Sequence, residues 1–233
     1  MLMRLRTLAM VPALALFFCV CGNAHGETVS VGGKSVSYQT PSGFARADGL
    51  FDINLTELDK EFGMNTVVFA TFIPDTDLDS RRRDRRFVPS WYAQLAYDGI
   101  FSKLSIGETR FAIVTRLVES VIGRQYAAQP FREKLGSIIA GALNRKIVVH
   151  TMTHKGFVEK EPGHRSMLAY GQGELEGETG MEPVNLATMT TFFMSEGKLI
   201  TIIQACRIAS EQDLPVFTEK ALRIAAEIRT NQL

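Results

Sequence analysis

Four β-prone segments follow one another between Ile147 and Cys206 with no helical pattern among them, and that run constrains the fold more than any other feature. They are Ile147 to His154, Ser166 to Leu175, Val184 to Met194 and Lys198 to Cys206, each bounded by turn material. Glu196-Gly197 predicts a tight hairpin between the last two. Strands that arrive in runs argue against a doubly wound parallel sheet and for neighbours paired antiparallel.

The first half supplies the rest of the sheet and its cover. Thr28 to Val31 and Ser35 to Tyr38 flank Gly32-Gly33-Lys34, a second hairpin signal. Pro41-Ser42-Gly43 turns the chain out, and Asn54 to Gly63 reads as a short capped helix carrying Leu55, Leu58 and Phe62. Thr66 to Ile73 is apolar on both faces, the pattern of a strand in the middle of a covered sheet. Asp75 to Pro89 reads as a charged, turn-like connection, after which Trp91 to Tyr97 resumes as a strand. Phe111, Val114, Val118 and Val121 trace one helical face; Phe131, Leu135, Ile138, Ile139 and Ala142 trace another. A last helix from Leu214 to Asn231 carries Phe217, Ala221, Ile224, Ala225 and Ile228. The expectation is one α+β domain over 27–233, a single α/β sandwich: a largely antiparallel sheet of about eight strands covered by about four helices.

Residues 1–26 predict the compartment. Two arginines, an apolar run from Thr7 to Cys21 and a small-residue exit at Gly22 to Gly26 have the form of a secretory signal peptide, cut after Ala24 or Gly26. The run is about 15 residues, short of the roughly 20 a membrane-spanning helix needs. Phe18 and Val20 precede the leader cysteines, where lipid attachment requires a small residue. The remainder is expected to be periplasmic or secreted, with no transmembrane segment once the leader is removed.

Removing Arg4 and Arg6 reduces 26 basic residues to 24 against 25 acidic ones, so net charge passes from +1 to −1. No global field then draws the domain to nucleic acid. Cys206 becomes the sole thiol, too few for an internal disulfide, and ends an apolar strand where packing is its expected role.

The order of elements carries a resemblance. An opening hairpin, a Pro-x-Gly-Phe lead-in at Pro41 to Phe44, central helices, a late hairpin and a closing amphipathic helix resemble the PsbP/DcrB superfamily of exported domains. The resemblance covers most of the chain beyond the leader. It implies an α/β/α sandwich on an antiparallel sheet and an accessory or binding module; no catalytic residues transfer with it.

Candidate chemistry is sparse. Arg81, Arg82, Arg83, Arg85 and Arg86 form the densest charge run and could grip a carboxylate, phosphate or lipid headgroup by paired hydrogen bonds. Asp75, Asp77, Asp79 and Asp84 lie beside them. The three alternating aspartates resemble the start of a calcium loop, but Ser80 and Arg86 stand where that loop needs glycine and glutamate. His150 and His154 have helical metal spacing yet lie in a strand, about 13 Å apart on one face. His164 sits in a turn beside Pro162-Gly163. Gly171, Gly173, Gly177 and Gly180 lack the spacing of a phosphate-binding loop.

These residues predict no metal, cofactor or catalytic set. The expected function is an exported, non-catalytic accessory domain that binds an envelope protein or an anionic, amphipathic ligand through the arginine run. The alternative is an envelope-polymer hydrolase using Glu174, Glu176, Glu178 or Glu182 with His150 or His164, which requires those side chains in one cleft.

Overall fold

Two tight turns set the pairing of the strands. Gly32 and Gly33 have φ of 53° and 78°, and Glu196 and Gly197 have φ of 51° and 70°. Two successive left-handed residues are the geometry that matches the right-handed twist of a hairpin. The computed structural model describes residues 26–53, 55, 59 and 65–229. Residues 1–25 of the leader and most of the helix expected over Asn54 to Gly63 lie outside the described residues.

The first turn joins β1 (Glu27–Val31) to β2 (Lys34–Tyr38) as a separate two-stranded ribbon. The main sheet holds β3 (Phe44–Arg46), β4 (Thr66–Pro74), β5 (Tyr92–Asp98), β6 (Ile147–Glu161), β7 (His164–Glu176), β8 (Met181–Ser195) and β9 (Lys198–Ile208). Their order is β3-β4-β5-β9-β8-β7-β6, and every neighbouring pair is antiparallel. Four helices accompany them among the described residues: α1 (Asp75–Arg83), α2 (Glu108–Tyr126), α3 (Gln129–Leu143) and α4 (Leu214–Arg229). The protein is thus an α+β domain on a largely antiparallel sheet. Among the described residues no helix is long and apolar enough to cross a membrane.

Period-two alternation divides the core between the two faces of the sheet. Ala187, Met189 and Phe193 of β8 face α4, where Phe217, Ala221, Ile224, Ala225 and Ile228 complete the main cluster with Trp91, Ile200 and Ile202. Val184 and Phe192 face the other way, toward clusters that include Ile139 of α3 and Phe111 of α2. Each fully buried large apolar side chain contributes about 1.5–3 kcal/mol, so α4 is held by its stripe rather than by helix propensity. Gln204, a buried polar side chain on the main cluster's side of the sheet, accepts from Trp91 Nε1 at 3.3 Å and donates to the Ala221 carbonyl at 2.7 Å.

β3 is too short to stand out from the turn before it. Two expectations need correction. β4 lies next to the edge, not in the middle: β3 pairs only with Phe72 to Pro74. Its apolar faces arise because Tyr38 of the β1–β2 ribbon packs edge-on to Phe69 and Phe72, while Val68 faces the segment carrying Phe51 and Ile53. Asp75 to Arg83 is a helix rather than a turn-like connection. Pro74 sets its start, acids occupy its first turn and arginines its last, each sign favourable to the helix dipole.

Candidate functional site

The arginine run divides into one buried residue and four exposed ones. Arg81 is 1% exposed and stacks over the Phe51 ring at 4.3 Å. It donates to the carbonyls of Leu50 at 2.9 and 3.2 Å, Phe87 at 2.9 Å, Ala142 at 2.6 Å and Arg85. Burial, with Arg85 adding to it, pulls Arg81 below the ordinary guanidinium range; Asp84 and Asp52 oppose. A guanidinium stays charged regardless, and here its fork is saturated by backbone oxygens. Arg81 is therefore a strut, and the expectation that it belongs to a docking surface is corrected.

Arg82, Arg83, Arg85 and Arg86 are exposed at the end of α1 and in the turn beyond it. Arg82 lies 3.7 Å from Asp79, Arg83 donates to the Asp79 carbonyl at 3.3 Å, and Arg85 donates to the Gly49 carbonyl at 2.8 Å. Arg86 pairs with Glu176 at 3.0 Å. A further cation, absent from the sequence reading, joins them. Arg145 follows Asn144, whose φ of 52° ends α3, and it donates to the carbonyls of Arg86 and of Glu176 at 2.9 Å. The Lys146 amide, ahead of Arg86 and Arg145, holds the Glu176 carboxyl below the usual range. The result is a cationic surface built from α1, the α3 terminus and the end of β7.

Asp75, Asp77 and Asp79 do not form a calcium loop. They lie on helix α1, and Asp77 accepts from both the amide and the hydroxyl of Ser90, at 2.6 and 2.7 Å.

The histidines separate for a reason the strand pattern did not show. A register shift between Val149 and Thr151 turns His150 and His154 to opposite faces. His150 is exposed, 3.7 Å from Glu174. His154 faces inward against α2, where a Cβ on Gly123 would stand 3.1 Å from its Nδ1. Its Nε2 is buried with no hydrogen-bond partner among the described residues. Burial lowers its proton affinity, and Glu119 partly opposes that. His154 lines a crevice of about 560 Å³ between α2 and β6, with Glu119, Arg124 and Met152.

The acids of the second half do not meet in one cleft. Glu174 stands beside His150 and Glu176 beside Arg86, while Glu178 and Glu182 are exposed around the β7–β8 turn. His164 is at the opposite end of β7, next to Glu159 and Glu161. Of Glu174, Glu176, Glu178 and Glu182, Glu174 alone stands beside a histidine among the described residues, so the four do not form a carboxylate pair around one imidazole.

The fold and this surface define a single-domain α+β protein with an arginine-rich face. No family model and no curated protein matches the chain. Among solved structures it is similar to the Saccharomyces cerevisiae Ran-binding protein Mog1p, at 8% identity and a TM-score of 0.36, over 90% of this chain and 94% of that one. A point mutant of the protein Mog1 gives 10% identity and a TM-score of 0.35, over 89% and 91%. Likeness at that level carries no information on function.

Proposed function

We propose that the chain is an exported, non-catalytic accessory domain that docks on an acidic surface of an envelope protein through Arg82, Arg83, Arg85 and Arg86. The supporting observation is the anchoring of the segment that carries these guanidiniums. Arg81 and Arg145 tie the end of α1 to α3 and β7 by bonds to main-chain oxygens, so the exposed arginines start from a fixed base. Prepaid order of this kind raises affinity because less side-chain and loop freedom is lost on binding. Arginine forks suit carboxylates in planar, two-point contacts, and an anionic headgroup would satisfy the same geometry. The leader and the PsbP/DcrB-like order of elements support export and an accessory role.

A photo-crosslinking side chain placed at Arg83 in cells that make the protein tests this directly. It is expected to trap an envelope protein that the same probe at His150 does not trap. Identical adducts from both positions, or none from Arg83, would contradict the reading.

A further inference from the structure

The tip of the β6–β7 hairpin gathers three ligand-bearing side chains unrelated to the arginine surface. Glu161 and His164 face each other across the Pro162-Gly163 turn, and Glu159 lies two residues back on the same face. His164 Nε2 is 3.2 Å from a Glu159 oxygen and 3.5 Å from a Glu161 oxygen, and all three ligand atoms lie within 4.8 Å of one another. We infer that Glu159, Glu161 and His164 form a binding site for a divalent transition metal ion of the zinc type, with water completing its coordination.

The distances have a direct meaning. Bonds of about 2.1 Å from a tetrahedral zinc place neighbouring ligand atoms about 3.4 Å apart. The two contacts of His164 bracket that edge, and Glu161, the most exposed of the three with 64% of its side chain accessible, can close the third. Glu159 is oriented from outside the cluster: Ser166 Oγ, itself 2.9 Å from Thr191 Oγ1, donates to its second oxygen at 3.0 Å. Such a partner leaves the first oxygen aimed at the site and is the usual support of a metal-binding carboxylate. The tip is anchored as well, because the Met194 amide donates to the Gly163 carbonyl at 2.8 Å.

The electrostatics favour a dication of moderate affinity. Two carboxylates face it, and Arg229 at the end of α4 is close enough for its charge to be felt by both. One net negative charge remains for the ion when His164 is neutral. The imidazole selects transition ions over calcium and magnesium, which take oxygen ligands.

Purified full-length protein, stripped with chelator and desalted, is titrated with zinc by calorimetry and with cobalt(II) by visible absorption. The expected result is one zinc per chain, a cobalt ligand-field band, and no competition from excess calcium. His164→Ala and Glu159→Gln should each weaken zinc by about tenfold or more, with unchanged circular dichroism, while His150→Ala leaves it intact. Absence of zinc binding, binding that survives both substitutions, or displacement by calcium would each overturn the site.

Discussion

Arg81 donates from its guanidinium to the Ala142 carbonyl at 2.6 Å, joining helix α1 to the last turn of α3 across sixty-one positions of chain. The same side chain reaches Leu50, Arg85 and Phe87. One buried cation thus ties the Leu50 segment, the turn after α1 and the end of α3 to α1 itself.

Replacing Arg81 should therefore destabilise far more than replacing its neighbours. Arg81→Ala strands several inward carbonyls and is expected to cost at least about 3 kcal/mol. Arg81→Lys should recover little, since an ammonium cannot span the same oxygens. Arg82→Ala, at an exposed site, should stay within about 0.5 kcal/mol of wild type. Urea denaturation of the three variants provides the comparison; equal midpoints for Arg81→Ala and Arg82→Ala would contradict the strut.

His154 makes stability depend on pH. Burial lowers its proton affinity in the folded state relative to the unfolded value of about 6.5. The unfolded chain then takes up the proton first, so stability is present above about pH 6.5 and is lost as pH falls toward the lower folded value. Glu119 moderates the loss. His154→Gln removes the titration, and its stability should fall less steeply than wild type between pH 7 and pH 5. Parallel curves over that window would refute the assignment.

Cys206 should be inert in the native protein. It is 9% exposed, and burial pushes its thiol up to about 11, with Lys220 opposing. Almost no thiolate exists at pH 8, so a disulfide reagent should label the unfolded chain promptly and the folded one only at the rate of opening. Immediate native labelling would contradict the buried position.

What could be read from the sequence was whatever rests on local pattern. The hairpins at Gly32-Gly33 and Glu196-Gly197 announce themselves by turn chemistry. The stripe of Phe217, Ala221, Ile224 and Ile228 announces α4 by its period. α1 did not, because Leu78 is its one strongly apolar residue and its support comes from Arg81 bonding to distant carbonyls. Arg145 escaped notice beside the arginine run because it lies fifty-nine positions from Arg86. The opposite facing of His150 and His154 depends on a register shift, which residue spacing does not encode. The cluster at Glu159, Glu161 and His164 forms only when the Pro162-Gly163 turn folds the strands together.

The most direct test of the proposed role is salt-dependent capture of the crosslinked partner by purified protein. Wild type is compared with a variant carrying Arg82→Ala, Arg83→Ala, Arg85→Ala and Arg86→Ala, with Arg81 left in place to preserve the fold. Capture should weaken as ionic strength rises for wild type and be lost in the variant. Equal capture by both proteins at every salt concentration would contradict the proposal that this cationic face is the docking surface.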